Sequence, residues 1–172
     1  MERAYPTGIE AKHLDRIRSG ADSWLRLIAV GALPAVALAG LLGGTPAETS
    51  SARTDAAVIR LHNPQILRNG MLFETRIEVL ARQPIEDAVI AIPARHWRDF
   101  TVNTMIPAAA EEEYKDGEYR FHFDRLEAGN RLTFKIDGQV NPPHLGRDMG
   151  NIRLLDGERE IAMLPFGQTV LP

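Results

Sequence analysis

The sequence predicts a mainly β protein, a two-sheet sandwich carried behind one amino-terminal transmembrane helix. Three observations predict it. Residues 27–44 (LIAVGALPAVALAGLLGG) run for eighteen positions without a charge or a strongly polar side chain. As a helix rising about 1.5 Å per residue, such a run approaches the roughly 30 Å hydrocarbon core of a bilayer. From Ala57 onward the apolar residues recur at every second position, the period of a strand with one buried face. Asn69-Gly70, Asp116-Gly117 and Asp156-Gly157 punctuate that region together with prolines, as in a chain of short strands joined by tight turns.

The chain divides accordingly into a cytoplasmic tail (1–23), a transmembrane helix (24–44), a linker (45–56) and a β-domain (57–172). The tail mixes charges with Pro6 and Gly8, and Ala11–Ser19 could form a short amphipathic helix. Trp24 suits the membrane interface, and Arg26 lies close enough to it to snorkel. Five Lys/Arg precede the apolar run and only Arg53 and Arg60 lie in the twenty residues after it, so the positive-inside bias puts the amino terminus in the cytoplasm and the domain outside. The competing reading is a cleaved signal peptide with Ala37-Leu38-Ala39 as the cleavage site; the long region before the run, and its continuation past Ala39, favour retention. Gly31, Ala35, Ala39 and Gly43 recur at four-residue spacing and are expected to form a helix-packing stripe, although an Ala/Gly-rich run also yields such stripes by chance. Thr45–Asp55 is small and polar and reads as a tether.

Strands follow in order. Val58–Leu61 ends at Asn63-Pro64, and Ile66-Leu67 leads into the Asn69-Gly70 turn, read as a hairpin. Met71–Arg82 alternates most clearly, with Phe73, Thr75, Ile77, Val79 and Ala81 inward and Glu74, Arg76, Glu78 and Arg82 outward. Ile85–Ile92, Phe100–Ile106, Glu118–Asp124 (Tyr119, Phe121 and Phe123 inward), Leu132–Val140, Ile152–Leu155, Ile161–Leu164 and Thr169–Leu171 complete the set. Pro107–Glu113 reads as an acidic loop. Seven to nine short strands of this kind argue for an immunoglobulin-like β-sandwich.

The Leu126–Gly129 corner before Arg131–Phe134 resembles the leucine-x-x-glycine corner of immunoglobulin-like modules in bacterial envelope proteins. With the single anchor, the 101–113 segment and the 137–143 run, the chain is similar to bacterial single-pass membrane-anchored proteins carrying an extracytoplasmic immunoglobulin-like domain. The resemblance implies a bacterial inner-membrane location, with the domain periplasmic or extracellular, and brings no catalytic residues. The absence of a Cys pair departs from antibody-type domains.

Chemistry is sparse. The formal net charge is −3, and with the first 44 residues set aside fifteen basic and nineteen acidic groups remain, a poor match to nucleic acid. No cysteine is present, which excludes disulfides and thiolate sites. His13, His62, His96, His122 and His144 show no metal-ligand spacing, and the five methionines are scattered, so no metal or cofactor is expected and periplasmic metal handling ranks last. Ser19, Ser23, Ser50 and Ser51 all precede the β-domain, leaving it no serine nucleophile.

The partner-binding candidates are Arg95, His96, Trp97, Arg98 and Asp99, a connection with an aromatic, two arginines and a carboxylate, together with Glu111, Glu112 and Glu113. The blander readings are that Trp97 plugs the sandwich edge and the glutamates are solvated. The expected function is a non-enzymatic, membrane-anchored interaction module, an accessory subunit or assembly factor for an envelope or membrane complex with a protein partner such as a multi-pass protein. The alternative is an envelope carbohydrate-active or hydrolytic enzyme using loop carboxylates such as Asp99 and Glu113.

Overall fold

A computed structural model describes residues 22–40 and 47–172. The tail at 1–21, and the stretch 41–46 with Gly43, lie outside the described residues. The first compact unit is helix α1, Asp22–Leu38, with Pro34 inside it. Its seventeen residues span only about 26 Å at 1.5 Å per residue. Among the described residues no helix is long and apolar enough to cross a membrane. This corrects the expected helix over 24–44, since the regular helix stops at Leu38 and a turn occupies Ala39–Gly40.

The second unit is mainly β, and its described residues contain eleven strands: β1 (Glu48–Arg53), β2 (Ala57–Asn63), β3 (Ile66–Arg68), β4 (Leu72–Ala81), β5 (Ala88–Pro93), β6 (Phe100–Ile106), β7 (Glu111–Lys115), β8 (Glu118–His122), β9 (Arg131–Val140), β10 (Gly146–Asp156) and β11 (Arg159–Leu171). One sheet runs β1-β2-β4-β9-β6 and the other β3-β11-β10-β5-β8-β7. All neighbours are antiparallel except β3 and β11, which are parallel.

A two-residue period buries one face of each sheet against the other. Ile59, Ile77, Phe134 and Ile136 from the first sheet meet Ile90, Phe121, Ile152, Leu154 and Leu164 from the second. The alternation expected along β4 holds: Thr75, Ile77, Val79 and Ala81 are buried and Glu74, Arg76 and Glu78 are not. The outer face of the first sheet is laced with charge, Arg76 to Glu74 at 2.6 Å and Arg131 to Glu78 at 3.7 Å.

Several local expectations are corrected. The linker reading of 45–56 fails at Glu48–Arg53, which pairs in register with β2 from Glu48 opposite Asn63 to Arg53 opposite Val58. Its polar side chains suit an edge strand, where only one row of backbone groups is paired. The acidic loop is in its second half the strand β7, because Asp116 (φ 52°) and Gly117 (φ 80°) both take the left-handed conformation that closes a two-residue hairpin. Asn69-Gly70 does turn the chain, Met71 N–H donating to Arg68 O, but joins strands of different sheets. β4 is already flanked by β2 and β9, so β3 pairs with β11 instead. Ile161–Leu164 and Thr169–Leu171 are one thirteen-residue strand.

Candidate functional site

After β5 the chain makes a single 3-10 turn, Ala94–Trp97, fastened to the β7–β8 hairpin by Ala94 N–H donating to Gly117 O at 2.9 Å. That turn sends its side chains in different directions. Arg95 is exposed and its guanidinium donates to Met149 O at 2.8 Å. His96 points inside, 6% exposed, with ring contacts to Phe100 at 5.1 Å and Phe166 at 4.4 Å. Its Nδ1 has no hydrogen-bond partner, and it borders an interior cavity of about 20 Å³ shared with Thr75 and Asn63. Burial first, and the nearby His144 second, push its pKa down from 6.5 to about 3, so it is neutral at physiological pH. Arg98 is exposed.

Trp97 is half-buried. Its ring stacks on Tyr119 at 5.4 Å and 21°, and leans on Phe121 at 5.4 Å and 40°. Tyr119 in turn meets Tyr114 at 5.5 Å across the β7–β8 hairpin, where the two are register partners. The result is a three-ring strip rising from the core to the surface, Tyr119 38% and Tyr114 64% exposed. Glu112 lies two residues from Tyr114, on the same face of β7, and is exposed. Glu111 and Glu113 alternate to the other face, where Glu113 stands opposite the buried Arg120. Arg120 is held there by Glu158 at 2.8 Å and Asp116 at 3.4 Å, and Lys115 also pairs with Glu158. These cations hold the Glu158 carboxyl down at about 2.

Asp99 sits against His144: one carboxylate oxygen is 3.2 Å from His144 Nδ1, while Asp148 is 2.9 Å from Nε2. The imidazole is thus held between two carboxylates and against the Phe100 ring at 5.6 Å, and its doubly protonated form has an acceptor at each nitrogen.

Of the sequence candidates, Trp97 and Glu112 share the neighbourhood of the strip, whereas His96 is interior, Asp99 belongs with His144, and Glu111 and Glu113 face away. Tyr119, expected inward with Phe121 and Phe123, is partly exposed and pairs with Tyr114. The signal was present: Tyr114 and Tyr119 lie symmetrically about Asp116-Gly117, so a hairpin there must set them opposite each other. On α1, Gly31 and Ala35 are exposed, and Ala39 follows the helix with its N–H donating to Ala35 O. A Cβ added at Gly31 would meet nothing within 4 Å.

A strip of fixed, partly exposed rings with a carboxylate at its end can receive a cation over a ring face and ion-pair it beyond. No known family's sequence profile matches the chain, and no curated protein matches it. Among solved structures, the chitin-binding domain of a chitinase from Pyrococcus furiosus is similar at 12% identity, over 68% of this chain and 98% of that one, with a TM-score of 0.35.

Proposed function

We propose that this protein is a non-enzymatic interaction module of a bacterial envelope, an accessory subunit or assembly factor that docks a protein partner through the Trp97–Tyr119–Tyr114 strip. The observation that carries the reading is the strip itself. Tyr114 spends a large aromatic surface on solvent while Tyr119, Trp97 and Phe121 hold the rings behind it in place. Rigid, amphipathic rings of this kind contribute contact area at little entropic cost and dominate many interfaces. With Glu112 beside Tyr114, the chemistry favours a basic segment of the partner. Asp99 and Glu113, the acids named for the hydrolase alternative, engage different neighbours, His144 and the Arg120 side of β7, and are not paired with each other.

The immunoglobulin-like reading belongs to this proposal. The orders β2-β4-β9-β6 and β11-β10-β5 correspond to the ABED and GFC sheets of such domains. So does the membrane location: α1 alone is short, and the apolar sequence continues through Leu41-Leu42 to Gly44. In this reading the amino terminus is cytoplasmic and the domain periplasmic or extracellular.

Crosslinking in native membranes tests the docking. Tyr114→Ala and Glu112→Gln should each reduce recovery of one defined partner several-fold with the domain's melting unchanged. Recovery of the same partner at full yield by both variants defeats the proposal. For the location, alkaline carbonate should leave the full chain in the membrane pellet and protease should reach the domain in spheroplasts; release by carbonate overturns it.

A further inference from the structure

A second surface lies away from the aromatic strip, where β1 approaches the β10–β11 ribbon. It is a cleft of about 200 Å³ lined by Ser50, Asn63, Arg147, Met149, Pro165 and Thr169, among others. Arg147 stands opposite Thr169 in the β10–β11 ladder and Met149 opposite Gly167, so cation, hydroxyl and thioether reach the cleft from one ribbon. Ser50 comes from the edge strand β1, where it faces Leu61. Asn63 forms its floor, its Oδ1 already accepting from Thr75 at 2.7 Å and Gln168 at 2.9 Å, which fixes the amide.

Three features define what such a cleft can hold. Among the described residues no carboxylate pairs with the Arg147 guanidinium, and no hydrogen bond engages the Ser50 or Thr169 hydroxyl. A guanidinium presents a planar fork that matches a carboxylate. Among the described lining residues Arg147 is the one charged group, which suits a monoanion better than a phosphate or a polyanion. The volume is below the range of drug-sized pockets and admits a single ring. Hydroxyls and an amide surround that space, while Met149 and Pro165 offer an apolar wall for the C–H face of a ring.

We propose that this cleft binds an acidic sugar ring, a hexuronate, with its carboxylate on Arg147, its hydroxyls on Ser50, Asn63 and Thr169, and one face against Met149 and Pro165. The site is independent of the protein-docking strip: it uses other strands and the opposite end of β10 from the residues facing β5.

The test is a titration of the full-length protein in detergent with D-glucuronate, D-glucose and acetate, followed by amide chemical shifts. Glucuronate should produce saturable shifts centred on Gly167 and Thr169. Glucose, which lacks the charge, and acetate, which lacks the ring, should each bind at least about tenfold more weakly. Arg147→Ala, at an exposed position, should weaken glucuronate by a similar factor with melting unchanged, Arg147→Lys should fall between, and Tyr114→Ala should bind as the parent does. Absence of saturation with glucuronate, equal binding of acetate, or an Arg147→Ala variant that binds as tightly as the parent each overturns the proposal. Because Tyr114→Ala reads only the docking strip, failure of one site is distinguishable from failure of the other.

Discussion

His96 places a titratable ring where a phenylalanine would serve packing better, between Phe100 and Phe166 with Nδ1 unpartnered. Its consequence is a pH-dependent stability. The unfolded chain's imidazole takes up a proton near pH 6.5, the folded one only near 3. Between those values the unfolded state holds more protons, so stability falls as pH falls, by a few kcal/mol across the whole window. Glu158 acts in the same direction but only below about pH 4.5, where its depressed pKa begins to matter. Urea midpoints measured from pH 7 to 5 lie above the range of Glu158, and the part of their slope that His96→Gln removes is the contribution of this histidine. Trp97→Ala tests the neighbouring position differently. The ring packs on Phe121 and borders the same small cavity as His96, so its removal should cost about 3 kcal/mol in denaturant melts. Tyr114→Ala, 64% exposed, should cost little. Trp97 was visible in the sequence as an aromatic among charges, but its direction was not. A 3-10 turn rotates successive side chains by about a third of a circle, and nothing local to Arg95–Asp99 states which residue faces the core.

At the scale of elements, period-two alternation made β4 and β9 legible because each has one wet and one dry face, whereas in β6 a bulge between Val102 and Thr104 shifts the phase, so Met105 packs on the core and Ile106 is exposed. The misread elements are those where the period carried no such contrast. β1 (ETSSAR) and β7 (EEEYK) are polar edge strands whose pairing comes from a neighbour rather than from burial of their own. The Asn69-Gly70 turn was recognised while its partners were not, since a turn dictates a reversal and leaves open which sheet receives the next strand. Two variants test these assignments. A chain begun at residue 57 lacks β1 and bares the edge of β2; it should melt about 5 °C below one begun at residue 47 and associate with rising concentration. In β9, Gly138 lies under Phe73: an added Cβ would stand 2.8 Å from that ring, which is itself edge-on to Phe100 at 5.2 Å. Gly138→Ala should cost about 1–3 kcal/mol, and Phe73→Leu in the same chain should recover part of it in a double-mutant cycle.

For the molecule as a whole, the parallel pairing of β3 with β11 has a consequence in time. Thr169 N–H donates to Gln65 O, and Gln168 reaches Asn63, so groups about a hundred positions apart must meet before the second sheet closes. β11 also stands inside that sheet, between β3 and β10, so without the last strand β3 loses its partner and β10 becomes a bare edge. Pairings this distant are slow to form because the intervening loop must first be closed. A chain cut after residue 158 should accordingly give a flat far-ultraviolet β signal and rapid proteolysis. In the proposed envelope location, where the domain would thread a narrow pore, this ordering would delay assembly until the final segment has passed through, with every strand then present at once.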